Sequence, residues 1–184
     1  MKVLVGVCGG IAAYKTCEVV RRLRERDHEV QVVMTEAATR FVTPMAFEVL
    51  SGRTVATSLF ELGDPSIEHI RLARWPDVIA IVPATAHTIG RIAGGLADDL
   101  LSTVVMASRA SVPVVIAPAM NTAMWENPLV QRNLTLLEQV GGGQRYAFVR
   151  PAEKTLACGE AGIGALAEEA LVVAAIVEAG LRAG

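Results

Sequence analysis

Two side chains in this sequence stand out for the chemistry they can do at neutral pH, an amide at Asn121 and an imidazole at His69. Asn121 lies in Pro118-Ala119-Met120-Asn121-Thr122-Ala123-Met124-Trp125-Glu126-Asn127-Pro128, directly after the apolar run Val112-Pro113-Val114-Val115-Ile116-Ala117. That run reads as a buried strand, and ligands of open α/β sheets collect at the carboxyl ends of strands. An amide placed there can donate and accept hydrogen bonds without bringing a net charge. The same stretch also reads as an Asn-rich turn closed by Pro128, with the Met and Trp residues as core filler. His69, between Ile67 and Ile70, is the best candidate for a base near neutral pH, although a histidine in apolar company is more often a satisfied structural residue.

The elements that must position these groups are legible as strand–turn–helix units. Met1 to Gly6 reads as a first strand, and Val7-Cys8-Gly9-Gly10-Ile11-Ala12-Ala13-Tyr14-Lys15 as a glycine turn opening a helix. Glycines there let backbone N–H groups approach a phosphate, although the spacing matches neither the dinucleotide fingerprint nor a Walker motif. Glu29 to Met34 is the second strand, and Thr35 is the expected N-cap of the following helix, able to bind a phosphate oxygen as well. Phe41 serves either the core or a flat ligand. Met45 to Leu50 reads as helix, Ser51-Gly52-Arg53 as a turn and Gly63-Asp64-Pro65-Ser66 as a loop. Val78 to Val82 is a continuous apolar strand that ends in the small-residue loop Pro83-Ala84-Thr85-Ala86-His87-Thr88. Leu129 to Val140 and Ala170 to Leu181 read as helices. Between them, Leu156 to Glu168 sets three glycines around Cys158, which predicts a mobile loop or flap with no regular element.

Alternation of strands and helices throughout predicts an α/β fold, a flavodoxin-like or Rossmann-like open parallel sheet with helices on both faces. The 184 residues read as one domain, 1–184, with no repeat or linker. A net charge of -2 gives no electrostatic case for nucleic acid. Apolar runs are broken well before the length of a membrane span, and Met1-Lys2 leads straight into a strand, so no membrane partner and no cleavable signal are expected. Cys8, Cys17 and Cys158 are odd in number and widely spaced, which argues against a disulfide framework and a zinc site. The sequence reads as that of a cytoplasmic protein.

These motifs together resemble the homo-oligomeric flavin-containing cysteine decarboxylases. The resemblance runs from Gly6-Val7-Cys8-Gly9-Gly10-Ile11-Ala12-Ala13-Tyr14-Lys15 to Ala167-Glu168, and its most specific match is Pro118-Ala119-Met120-Asn121-Thr122-Ala123-Met124-Trp125. His69-Ile70, Pro83 to Thr88, Asp98-Asp99-Leu100-Leu101-Ser102-Thr103 and Ala157-Cys158-Gly159 follow the family's order as well. The resemblance implies FMN held at the interface of a homotrimer or of a dodecamer built from trimers. It implies that Gly9, Gly10 and Thr35 lie on the phosphate side, and that Phe41, Thr85, Ala86, His87 and Thr88, with Ser102, contact the rest of the cofactor. It further implies His69 as the active-site base, Asn121 as the residue that binds the substrate carboxylate, and Cys158 as the proton donor on a substrate clamp. Met120, Met124, Ala157 and Gly159 would complete the substrate site. The pattern is departed from at His87, where many relatives have Asn, and at Ala165, where many bacterial relatives have Arg and eukaryotic-like versions Ala.

The reaction so implied begins with oxidation of a cysteine CH2–SH to a thioaldehyde, which supplies the electron sink that lets CO2 depart and leaves an enethiolate. A histidine suits the thiol proton at neutral pH, and an uncharged amide suits a carboxylate that must lose its charge. Two substrates remain in view. Phosphopantothenoylcysteine of coenzyme A synthesis is favoured by the Ala-Cys-Gly clamp, which a redox-neutral cycle needs to protonate the enethiolate. The C-terminal cysteine of a precursor peptide, released as an enethiol for aminovinyl-cysteine rings, is favoured by the absence of the ligase domain usually fused behind the bacterial enzyme, and by His87. A flavoprotein that regulates a partner without catalysis is the third reading, and the joint presence of His69, Asn121 and Cys158 argues against it.

Overall fold

In the computed structural model, residues 1–59, 65–156, 159 and 161–182 are described. The first strand, β1 (Lys2–Val7), leads through the 3₁₀ turn Ile11–Lys15 into helix α1 (Thr16–Arg24). Then β2 (Glu29–Met34), the 3₁₀ turn Glu36–Arg40, α2 (Pro44–Ser51) and α3 (Pro65–Arg74) lead to β3 (Val78–Ala84). Helices α4 (Ala86–Ala93) and α5 (Leu100–Ala107) precede β4 (Val114–Pro118). The one-turn helix α6 (Thr122–Trp125) and α7 (Pro128–Gln139) follow, then β5 (Tyr146–Phe148), β6 (Ala152–Thr155), β7 (Ala161–Ala165) and α8 (Glu169–Arg182).

Five parallel strands form the main sheet in the order β2-β1-β3-β4-β5. All seven residues of β3 are buried, as expected of a central strand covered on both faces. The two-residue period of a strand divides β1 between two cores: Val3, Val5 and Val7 join the layer of α1, α2 and α8, whereas Leu4 packs with Ile79, Ile81, Leu101 and Val104 under α3, α4, α5 and α7. On the first face Thr16 Oγ1 donates to the Val82 carbonyl at 2.8 Å, so the buried hydroxyl of α1 is satisfied by the central strand. On the second face Gly6 lies so close to α5 that a Cβ there would stand 2.4 Å from Leu101 Cδ1. The open parallel sheet with helices on both faces is the expected one, and the direction in which successive strands are added reverses between β1 and β3. Ligand crevices open at the carboxyl edge of such a reversal.

Two local expectations are corrected. Pro65 and Ser66 belong to α3 and not to a loop: Pro is well suited to the first helical position, where its missing N–H has no intrahelical partner. His69 therefore stands on a helix. The glycine-rich stretch after Leu156 contains a regular strand, β7, paired antiparallel with β6. Expectations that rest on Ala157 and Cys158 themselves lie outside the described residues. The turn at Ser51-Gly52-Arg53 is as expected, with Gly52 at φ 70° closing α2 in the left-handed cap that glycine tolerates best. Among the described residues no helix is long and apolar enough to cross a membrane.

Candidate active site

A crevice of about 600 Å³ opens at the carboxyl edges of β1, β3 and β4. Cofactor and small-molecule sites occupy roughly 300–1,000 Å³, so the space is of the right order. Its floor is the turn Gly9–Gly10, and its walls are Thr85 and Ala86 at the start of α4, Ala119 to Asn121 after β4, and residues of the β6–β7 hairpin.

Glycine is required on the floor by packing. A Cβ on Gly9 would stand 2.4 Å from Ala37 Cβ and 2.8 Å from the Ala37 carbonyl carbon, so the turn lies directly on the 3₁₀ segment Glu36–Arg40. A Cβ on Gly10 would meet only Thr85 Cγ2, at 3.8 Å, and that side is open to the crevice. Backbone N–H groups presented without side chains suit an anionic oxygen. Thr85 caps α4, its Oγ1 accepting from Thr88 N at 3.3 Å and lying 3.2 Å from Thr88 Oγ1. Thr88 itself is buried beneath the turn, with hydrogen bonds that reach Cys8. Burial pushes the Cys8 thiol up to about 11, against the hydrogen bonds from Thr88 and Thr85, so it remains protonated at pH 8 and is a poor nucleophile. In native protein treated with iodoacetamide at pH 8, peptide mapping is expected to find Cys8 unlabelled until denaturant is added.

Asn121 sits on the opposite wall. Its Oδ1 accepts from Met124 N at 2.8 Å, which caps α6 and fixes the amide plane. The Nδ2 donors are thereby left for a ligand, since the oxygen is taken by the backbone. Met120 and Met124 line the same wall with Leu156 and Leu166, giving an apolar flank suited to a flat ring.

The hairpin is docked on this wall by two glycines. Gly164 O accepts from Met120 N at 2.9 Å; Gly164 has φ 144°, and a Cβ there would stand 2.2 Å from Met120 O. A Cβ on Gly162 would stand 2.3 Å from Thr122 Oγ1. Gly164→Ala meets a backbone atom that cannot rotate away and a φ that costs about 1–3 kcal/mol outside glycine. It is expected to raise the population of undocked hairpin about 10- to 100-fold, read as faster limited proteolysis between β6 and β7 with little change in overall unfolding.

Other predicted residues are distributed differently. Thr35 caps the turn Glu36–Arg40 through Ala38 N at 3.3 Å and lines a second crevice of about 410 Å³ with Thr39, Thr57 and Asp99. His87 is exposed on the first turn of α4, and Phe41 is half exposed; neither lines the main crevice. The Ser102 hydroxyl does not face it either. It donates to Asp99 Oδ1 at 2.7 Å within a capping box at the start of α5, so helix capping uses it. His69 on α3 has a buried Nδ1 with no hydrogen-bond partner and is also outside the main crevice. Gly159 is described, whereas Ala157 and Cys158 are not. One chain thus assembles Gly9, Gly10, Thr85, Ala86, Met120, Asn121 and Met124, and leaves His69 apart. Sequence reasoning missed Lys15 and Lys154, the charged residues on the crevice wall among the described residues. The signal available for them was scarcity, since the chain has 14 Arg but only 3 Lys.

Comparisons with known proteins agree with this architecture. The coenzyme A biosynthesis bifunctional protein CoaBC of Bacillus subtilis is 46% identical over 172 residues, which are 93% of this chain and 41% of that protein. The chain thus spans less than half the length of such bifunctional relatives. A probable phosphopantothenoylcysteine decarboxylase of Streptococcus mutans is 39% identical over 178 residues, 96% of this chain and 97% of the relative. Among solved structures, a PPC decarboxylase mutant complexed with pantothenoylaminoethenethiol superposes with a TM-score of 0.82 at 34% identity, covering 96% of each chain. The FMN-dependent cysteine decarboxylase SpaF superposes with a TM-score of 0.80 at 34% identity, covering 97% of each chain. A Flavoprotein family profile matches residues 1–180, and the chain belongs to the Flavoprotein family.

Proposed function

We propose that this protein is an FMN-dependent cysteine decarboxylase acting on phosphopantothenoylcysteine in coenzyme A synthesis, in the cytoplasm. The observation that carries the reading is convergence: a side-chain-free glycine floor, the helix-capping Thr85, an amide at Asn121 and the docked β6–β7 hairpin face one crevice. The small-molecule substrate is favoured by relatives on the coenzyme A pathway, one of them matched along almost its whole length.

FMN fits the residues of the main crevice, an anion-compatible floor at Gly9–Gly10, the Thr85 hydroxyl and a methionine-lined flank; Thr35, in the second crevice, is carried on the phosphate side by the family resemblance. When bound it would supply a two-electron acceptor for the cysteine CH2–SH, which makes the neighbouring carboxylate able to leave as CO2, and in its reduced form the hydride that, with one proton, converts the enethiolate to the saturated thiol. The residues of this chain do the rest. Asn121 Nδ2 donates to the carboxylate and sets it for departure, without a positive charge that would hold it back. His69 takes the thiol proton near neutral pH. The hairpin covers the crevice and excludes water, and Cys158 protonates the enethiolate from the segment between β6 and β7. Phe41, His87, Thr88 and Ser102 are carried as further cofactor-side residues, and Ala157 and Gly159 as substrate-side ones, by the family resemblance.

A homotrimer, or a dodecamer built from trimers, is part of the reading. It is supported by the separation of His69 from the crevice that Asn121 lines, and by exposed apolar side chains at Ile11, Tyr14, Phe41, Met45 and Val49.

The test is mass spectrometry of the purified flavin-loaded protein incubated with phosphopantothenoylcysteine and, separately, with peptides ending in cysteine. Loss of CO2 alone from the former is the expected result. Loss of CO2 with two hydrogens from a peptide would assign the enzyme to peptide modification. Absence of both products with FMN bound would refute the catalytic reading.

A further inference from the structure

The crevice has a charge asymmetry that the reaction described above leaves unused. Its charged lining side chains, among the described residues, are Lys15 and Lys154, and no carboxylate lines it. The chain holds only 3 Lys, so placing two of them on one cavity wall is not a reflection of overall composition. They come from two elements, Lys15 from the end of the 3₁₀ turn Ile11–Lys15 and Lys154 from strand β6 of the hairpin.

Each ammonium is tethered from behind by the segment that opens α8. Lys15 Nζ lies 3.4 Å from Glu169 Oε1, and Lys154 Nζ donates to Glu168 Oε1. Neither glutamate lines the crevice. An ammonium has three donors, so one glutamate oxygen leaves hydrogen-bonding capacity directed at the cavity. The Lys154–Glu168 contact also keeps Lys154 charged, its pKa being raised chiefly by that hydrogen bond. Two cations held in place with capacity to spare suit a compact dianion better than a single carboxylate, for which Asn121 already provides donors.

We propose that Lys15 and Lys154 form a subsite for the terminal phosphate of the substrate, and so set the preference for a phosphorylated small molecule over a peptide. The inference rests on the decarboxylase reading for the identity of the ligand, but it is tested by binding alone. The flavin-loaded protein is titrated calorimetrically with 4'-phosphopantothenate and with pantothenate, neither of which carries the reacting cysteine. The wild type is expected to bind the phosphorylated ligand more tightly. In Lys154→Gln and Lys15→Gln that preference, as the ratio of the two Kd values, is expected to fall about 10- to 100-fold, the range for a hydrogen bond to a charged group. Lys154→Arg is expected to keep most of it, and all variants are expected to keep their flavin absorbance after gel filtration.

Equal weakening of both ligands would reduce the lysines to holding the hairpin and overturn the proposal. Loss of flavin from the variants would assign them to the cofactor's phosphate and overturn it equally, as would a wild type with no phosphate preference. A lysine-dependent phosphate preference in a protein that decarboxylates nothing would leave the subsite standing while the decarboxylase reading fell.

Discussion

Asn121→Asp is expected to lower kcat/KM for the decarboxylated cysteine substrate about a thousandfold while leaving the fold intact. The two halves of the expectation separate because the two ends of the amide have separate tasks. Oδ1 caps α6 by accepting from Met124 N at 2.8 Å, and an aspartate oxygen caps a helix as well as an asparagine oxygen does. Stability in urea is therefore expected to change by no more than ~0.5 kcal/mol. In the proposed reading Nδ2 is the donor that meets the substrate carboxylate, and Asp replaces it with an anion facing another anion. Loss of one preorganised donor costs about 10²–10³ in rate, and repulsion at short range in a partly dry crevice adds to it. Steady-state kinetics beside a urea unfolding curve checks both halves. Activity within tenfold of wild type would mean that the carboxylate is not held at Asn121.

Most of the framework that positions this amide is written locally in the sequence. Val78 to Val82 and Val112 to Ala117 are apolar at every position but Pro113, a pattern that a central strand in a two-faced sheet requires and a surface helix forbids. Of the helix caps only Thr35 reads as one from the sequence; Thr85, Asp99 and Asn121 are short polar residues ahead of a helical turn in the same way, and their capping emerges with the fold. The hairpin was not legible. Gly162 and Gly164 lower the intrinsic preference for a strand, and what selects the strand is tertiary: Gly164 packs on Met120 in the crevice wall, at a distance no side chain would permit. The start of α3 was hidden for a related reason. Asp64-Pro65-Ser66 carries turn chemistry, whereas in the fold Pro65 opens α3, whose Leu72 and Ala73 pack in the second core.

The site itself was legible as a set of residue types and not as a constellation. Ser102 has a hydroxyl suited to a ligand, but the Asp99–Ser102 spacing of a capping box commits it to the backbone of α5. Lys15 and Lys154 are far apart in sequence and belong to no shared pattern, so only folding shows that they share a wall.

Co-expression of His69→Asn with Asn121→Asp is expected to restore activity that neither variant has alone. His69 stands on α3, which packs against α5 on the second face of the sheet, and it does not line the crevice that Asn121 lines. A base must come within hydrogen-bond reach of the thiol it serves, and its removal costs about 10²–10⁴-fold. If His69 is that base, it is delivered to the crevice of a neighbouring copy. In a randomly mixed closed oligomer, half of the histidine-side partners and half of the amide-side partners are intact, so about a quarter of the sites regain both groups. About a quarter of wild-type activity is thus expected from the co-purified mixture, against a loss of at least a hundredfold in each parent. The outcome is discriminating because a site completed within one chain predicts no recovery: every chain in the mixture carries one of the two lesions. Differently tagged subunits purified in tandem, with flavin absorbance as the measure of folded sites, make the fraction directly readable.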